Sequence, residues 1–153
     1  MVVDVRTVPR SRANPQYNFD VLAAEIAPWQ ISYERIEELG GLRGRSRTVP
    51  TDVNGFWQNQ SFHNYADYAL SEAFEAGLER LLEKTTERRA AIMCAEAVWW
   101  RCHRRIIADY LLLRGREVIH LMGHGRTEPA RMTPGATERD GHLVYPAPEE
   151  ASP

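Results

Sequence analysis

The densest chemistry in the chain lies in one run, Met93-Cys94-Ala95-Glu96-Ala97-Val98-Trp99-Trp100-Arg101-Cys102-His103-Arg104-Arg105. Cys94 falls where an apolar run gives way to a helical pattern. There the helix N-terminus, with Arg101, Arg104 and Arg105, favours a thiolate. In that setting Cys94 is a candidate nucleophile, Glu96 and His103 are an acid/base pair, and Arg104 stabilises charge. Each residue also has a plain structural reading. Free cysteines are commonly small buried hydrophobes, Glu96 can pair with Arg101 or Arg104, and His103 can cap a helical turn. Cys102 reads as structural, because the pattern puts it inside an amphipathic helix.

Two chemistries fit this run poorly. A strand-end cysteine in a ring of backbone N–H groups is the phosphate loop of tyrosine phosphatases, which needs Cys-x5-Arg. The step from Cys94 to Arg101 is one residue longer, holds Trp99 and Trp100, and has no glycine to let the backbone wrap. A metal site would have to gather Cys94, Cys102, His103, His120 and His124, and their spacing matches no zinc motif. No metal and no cofactor is expected.

A second group of charges follows the first apolar run. Asp4 is a carboxylate in a strand, where acids are normally paired. Arg6, Arg10 and Arg12 come directly after it and form a candidate clamp for an anion. Glu38, at the end of the next strand, joins them as a ligand contact. Arg43, Arg45 and Arg47, followed by Phe56 and Trp57, have the phosphate-plus-stacking composition of a single-strand binder, although no nucleic-acid signature accompanies them.

These residues need elements to hold them. Val2-Val3-Asp4-Val5-Arg6 reads as a buried strand, with further strands at 31–36, 90–94 and 118–122. Asn18 is placed to cap a short helix that Pro28 stops. Phe62, Tyr65, Ala66 and Ala69 share one helical face, and Ser71 opens a helix with Phe74, Leu78, Leu81 and Leu82 inward. Residues 101–114 make a helix ended by Gly115. Residues 42–60 form a long loop, and 123–153 an irregular tail in which Leu143-Val144-Tyr145 is the one apolar patch. Strands alternating with helices predict an α/β fold: a mostly parallel sheet flanked by helices, one domain over 1–122, and a Pro-rich acidic C-terminal tail. In such sheets ligands gather beyond the carboxyl ends of the strands, and Asp4, Arg6, Glu38, Cys94 and Glu96 all lie there.

Composition narrows the classes. The 153 residues carry a formal charge of −2, so no global field draws the chain to nucleic acid or anionic membrane. Lys84 is the sole lysine, and every other basic residue is arginine. Two cysteines, no apolar leader and no membrane-length run point to a reducing, cytoplasmic setting.

Four ordered motifs together are similar to those of the bacterial domain-of-unknown-function 488 family. They are residues 3–18, Glu38-Leu39-Gly40-Gly41, Phe62-His63-Asn64-Tyr65-Ala66-Asp67-Tyr68, and the run from Met93-Cys94-Ala95-Glu96 to Cys102-His103-Arg104-Arg105. The resemblance spans residues 2–122 and implies the fold class, but supplies no reaction. Members of that family begin with an extra strand ending in Gly-His-Ser and a helix, which this chain lacks. The gap would leave a sheet position for a second copy of the chain.

The sequence thus predicts a strand-end site for an anionic small molecule, a nucleotide or phosphate ester, with cysteine-dependent transferase or hydrolase chemistry. The alternatives are a nucleic-acid-binding module built on the loop arginines, and a non-catalytic interaction protein.

Overall fold

The structure is a computed structural model that describes residues 1–149. The chain falls into two compact units: Met1–Gly41 with Ala76–Ala95, and Leu42–Glu75 with Glu96–Pro153. Both are mixed from distant parts of the sequence.

The first unit is built on a parallel sheet of three short strands: β1 (Val2–Asp4), β2 (Tyr33–Arg35) and β3 (Ala91–Met93). Their order is β2-β1-β3. Val2 lies opposite both Tyr33 and Ala91, and Asp4 opposite both Arg35 and Met93. The central strand is covered on both faces, as in other parallel sheets, and Val3, Asp4 and Val5 are fully buried. The helix α1 (Phe19–Ile26) provides the crossover from β1 to β2. Asn18 stands at its N-cap, but its side chain does not cap. Its Oδ1 accepts instead from the Ser11 N–H at 2.7 Å and ties down the preceding loop. Ile36, Leu39, Leu78 and Leu81 complete this core. Gly77 lets the backbone come close, since a Cβ there would stand 2.8 Å from the Glu38 Cβ.

In the second unit, α2 (Gln60–Tyr68) is capped by Asn59, whose Oδ1 accepts from the N–H groups of Ser61 and Phe62. The next helix, α3 (Glu72–Glu87), opens on Ser71, whose Oγ accepts from Phe74 at 3.3 Å, and runs on into the first unit. α4 (Arg104–Leu113) ends at Gly115, with φ +74°. Gly115 and Arg116 donate to Leu112 and Leu111, which is a Schellman close. Tyr65, Phe74, Ile106, Ile107 and Tyr110 are fully buried.

Residues 118–145 depart from expectation. The fourth strand does not extend the parallel sheet. β4 (Ile119–Leu121) pairs antiparallel with β5 (Thr127–Pro129), and β6 (Thr137–Arg139) with β7 (His142–Val144). The reason lies in β4 itself: His120 is buried while Ile119 and Leu121 are exposed, so only one face is covered. Much of the segment read as an irregular tail is therefore hairpin. The second hairpin turns on Asp140-Gly141, both at positive φ, as a type I′ turn demands. The Leu143-Val144-Tyr145 patch is buried. The Tyr145 N–H donates to Asn54 Oδ1 at 2.9 Å, and the Leu143 N–H to the Tyr110 hydroxyl at 3.1 Å. The last four residues of the expected tail lie outside the described residues. The fold is mixed α/β. Among the described residues no helix is long and apolar enough to cross a membrane.

Candidate functional site

At the carboxyl end of β1, Asp4 and Arg6 meet each other. The Asp4 carboxylate is fully buried and Arg6 only 6% exposed. Arg6 Nε donates to Asp4 Oδ1 at 2.9 Å and Nη2 to Oδ2 at 2.7 Å, while the Arg6 backbone N–H reaches Oδ1 at 3.0 Å. Nη2 also donates to the Tyr17 carbonyl at 2.8 Å, which pins the loop after the strand. The Tyr33 hydroxyl makes a short hydrogen bond to Asp4 Oδ2. Burial, reinforced by the Asp4 carboxylate, pushes the Tyr33 phenol up to about 12. The bond to Asp4 holds the Arg6 guanidinium above its ordinary value. This buried ion pair ties the strand end to the loop that follows it.

The other members of the predicted clamp are engaged separately. Arg10 lies over the Phe19 ring at 4.9 Å and 3.8 Å from Asp20, both partners exposed. Arg12 is exposed. Glu38 accepts from Arg80 at 3.0 Å.

The two cysteines stand in different surroundings. Cys94 follows β3 directly and is half-buried. No helix begins there. The chain runs irregularly to a 3-10 turn at Trp99–Arg101, and α4 starts only at Arg104, three residues later than the sequence pattern predicts. The cysteine at the helix N-terminus is therefore Cys102. Its Sγ lies 3.3 Å from the Arg104 backbone N–H, 3.3 Å from Arg104 Nε and 3.5 Å from His103 Nδ1. Arg104 Nη2 donates to the Glu96 carbonyl at 2.6 Å, so it is the Glu96 backbone that steadies the guanidinium on the sulfur. The His103 ring packs 4.9 Å from the ring of Tyr65. Tyr65 is fully buried, and desolvation pushes its phenol well above the ordinary value, with the charges of Tyr68 and Cys102 adding to the effect.

Of the predicted residues, Asp4 and Arg6 form one cluster in the first unit, which also holds Arg10, Arg12, Glu38 and Cys94. His103, Arg104 and the Glu96 backbone form another in the second, around Cys102. The sequence reading took Cys102 as structural, and its side chain is buried at 4% exposure, but the helix start expected at Arg101 hid its place just before α4. It also missed Tyr33, where a Tyr one strand away from a buried Asp was the available signal. No group of three or more His, Cys, Asp or Glu among the described residues is placed to hold a metal ion.

This arrangement sits within a recognised sequence family. The family described as domain of unknown function DUF488 matches residues 1–111. The chain belongs to it. The DUF488 match takes in both clusters and ends within α4 at Leu111, before the two hairpins. No curated protein matches the chain, and no solved structure does.

Proposed function

We propose that this protein binds an anionic, phosphate-bearing small molecule at the start of α4 and acts on it through the Cys102 thiol. The reaction class is a cysteine-dependent transferase or hydrolase. One observation carries the reading: a single sulfur faces two N–H donors of Arg104 at 3.3 Å each, with His103 Nδ1 at 3.5 Å. Donors aimed at sulfur, at a helix N-terminus, stabilise S⁻ over S–H. In such a reaction the thiolate attacks the electrophilic atom of the substrate, and the bond to the leaving group breaks. His103 takes the thiol proton and passes it to the leaving group, and an acceptor or water then resolves the covalent intermediate. Arg104 would stabilise charge on the substrate as it builds up.

Iodoacetamide alkylation against pH, in the Cys94→Ser and Cys102→Ser proteins, tests the assignment. The Cys94→Ser protein should alkylate at Cys102 with a midpoint below the free-thiol value of about 8.5, and Arg104→Gln should raise that midpoint. If Cys102 stays inert until the protein unfolds while Cys94 titrates early, the nucleophile is Cys94. If neither thiol reacts in the folded protein, the thiol chemistry is wrong.

A further inference from the structure

The second unit also holds a cleft that the cysteine chemistry does not use. Its volume is about 270 Å³, and its walls include Trp99, Arg105, Glu128, Arg131, Met132 and Thr133. Most of that wall comes from β5 and the segment after it, beyond the reach of the family match.

The charged end of Arg105 is held ready. Its Nε donates to Thr133 Oγ1 at 3.1 Å, and the guanidinium lies over the Trp57 ring at 4.9 Å. Thr133 is fixed in turn, its N–H donating to Asp109 Oδ1 at 2.9 Å. The two terminal nitrogens of Arg105 have no hydrogen-bond partner among the described residues, and neither has the guanidinium of Arg131. A second donor goes unused: the Trp99 indole Nε1 is buried and meets no acceptor among the described residues. One face of that indole is covered by His120, stacked at 4.0 Å and 2° from parallel.

The free donors of Arg105, fixed from behind, suit a carboxylate or phosphate oxygen with little ordering left to do on binding, and Arg131 adds a second charge. The formal charges on the wall are two positive, from Arg105 and Arg131, and one negative, from Glu128. The balance favours a monoanion over a dianion. Met132 and two prolines, Pro129 and Pro134, give the apolar remainder. The volume falls just under the low end, roughly 300 Å³, of ordinary ligand clefts. That suits a single ring and excludes a dinucleotide.

We infer that this cleft is a binding site for a small ring-bearing carboxylate. The acid group meets Arg105 and Arg131, and the ring lies against Met132 and the prolines. The inference is independent of the thiol chemistry at Cys102.

The probes are benzoate, acetate and benzyl alcohol, titrated into the full chain and followed by ligand-observed NMR. Benzoate should bind saturably, and acetate, which lacks the ring, and benzyl alcohol, which lacks the charge, should each bind at least about tenfold more weakly. Arg131→Gln changes an exposed side chain with no partner to lose, so the fold should survive, and it should weaken benzoate about tenfold. Arg105→Lys keeps the charge and removes the fork, and should weaken it comparably. Acetate binding as well as benzoate would reduce the site to an unselective anion patch and overturn the assignment. So would benzyl alcohol binding as well, or benzoate affinity that neither arginine variant changes.

Discussion

Each unit sets a buried acid beside an arginine and a tyrosine, and the two sets are wired differently. In the first, Arg6 grips the Asp4 carboxylate directly at 2.7 Å and Tyr33 adds a hydroxyl. In the second, the Asp109 carboxylate takes only neutral donors among the described residues, the Thr133 N–H and the Tyr145 hydroxyl, both at 2.9 Å. Arg105 is one link further out, on the Thr133 hydroxyl. The carboxyl groups reflect this. Desolvation raises Asp109 above the ordinary carboxylate value, and its hydrogen bonds and the charge of Arg105 offset it only in part. The Tyr145 phenol is raised too, by burial first and then by Asp109. A direct pair spends the arginine on the fold, whereas an arginine held through an intermediary keeps its charge available to a ligand. Position in the sheet is a poor guide to which is which: Asp4 and Arg6 occupy the strand-end location where ligands usually bind, and their polar groups are largely turned on one another.

The largest expected effect comes from breaking the direct pair. Asp4→Asn leaves the Arg6 guanidinium buried without its counter-charge, at a cost of about 3–5 kcal/mol. Urea unfolding measures it, and a loss below about 1 kcal/mol would mean that Arg6 escapes to solvent and the pair is not closed. Tyr145→Phe is next, removing one of two neutral donors to a buried carboxylate for about 1–3 kcal/mol. The same change should drive the Asp109 carboxyl further upward, visible as a shift of its titration to higher pH in the stability profile. The smallest change, Asp109→Asn, sharpens the contrast most. Because the Asp109 carboxyl is raised, the folded protein binds its proton more tightly than the unfolded chain. That contribution is present below the ordinary carboxylate value and is lost as pH rises through the raised one. The wild-type chain should therefore lose stability from this group as pH rises above the ordinary carboxylate value of about 4, while Asp109→Asn does not. At neutral pH the substitution should change stability by no more than about 1 kcal/mol. Parallel slopes for the two proteins would sink the assignment.

Much of the fold was legible wherever local chemistry and burial agree. The β-branched run at Val2-Val3-Asp4-Val5 could only be an inner strand, Gly115 marks the helix end it forms, and Tyr65, Ala66 and Ala69 share the face that the 3.6 period assigns. Boundaries and long-range pairings were harder. The start of α4 was misplaced because His103 is a weak N-cap and Trp99-Trp100 continues the apolar pattern through a 3-10 turn. Those three residues decided which cysteine stands at the helix end. Asn18 has the right type for a cap, yet the Ser11 N–H, seven residues away, competes successfully for its oxygen. The Asp140-Gly141 hairpin was a missed local signal, hidden by a Gly- and Pro-rich composition that suggested disorder. The wiring of Arg105 through Thr133 to Asp109 joins residues 24 positions apart, and no spacing rule reaches it.

The middle position of β1 has a consequence for how the protein is made. This strand precedes both of its neighbours in the chain, yet it pairs with Tyr33–Arg35 on one side and Ala91–Met93 on the other. Translation at roughly 5–20 residues per second leaves its second edge without a partner for several seconds after the first is closed. During that interval a short segment, two valines and Asp4, presents unpaired amides to the ribosome surface and to other nascent chains. Its short length and the buried Asp4 keep that exposure from templating a longer sheet.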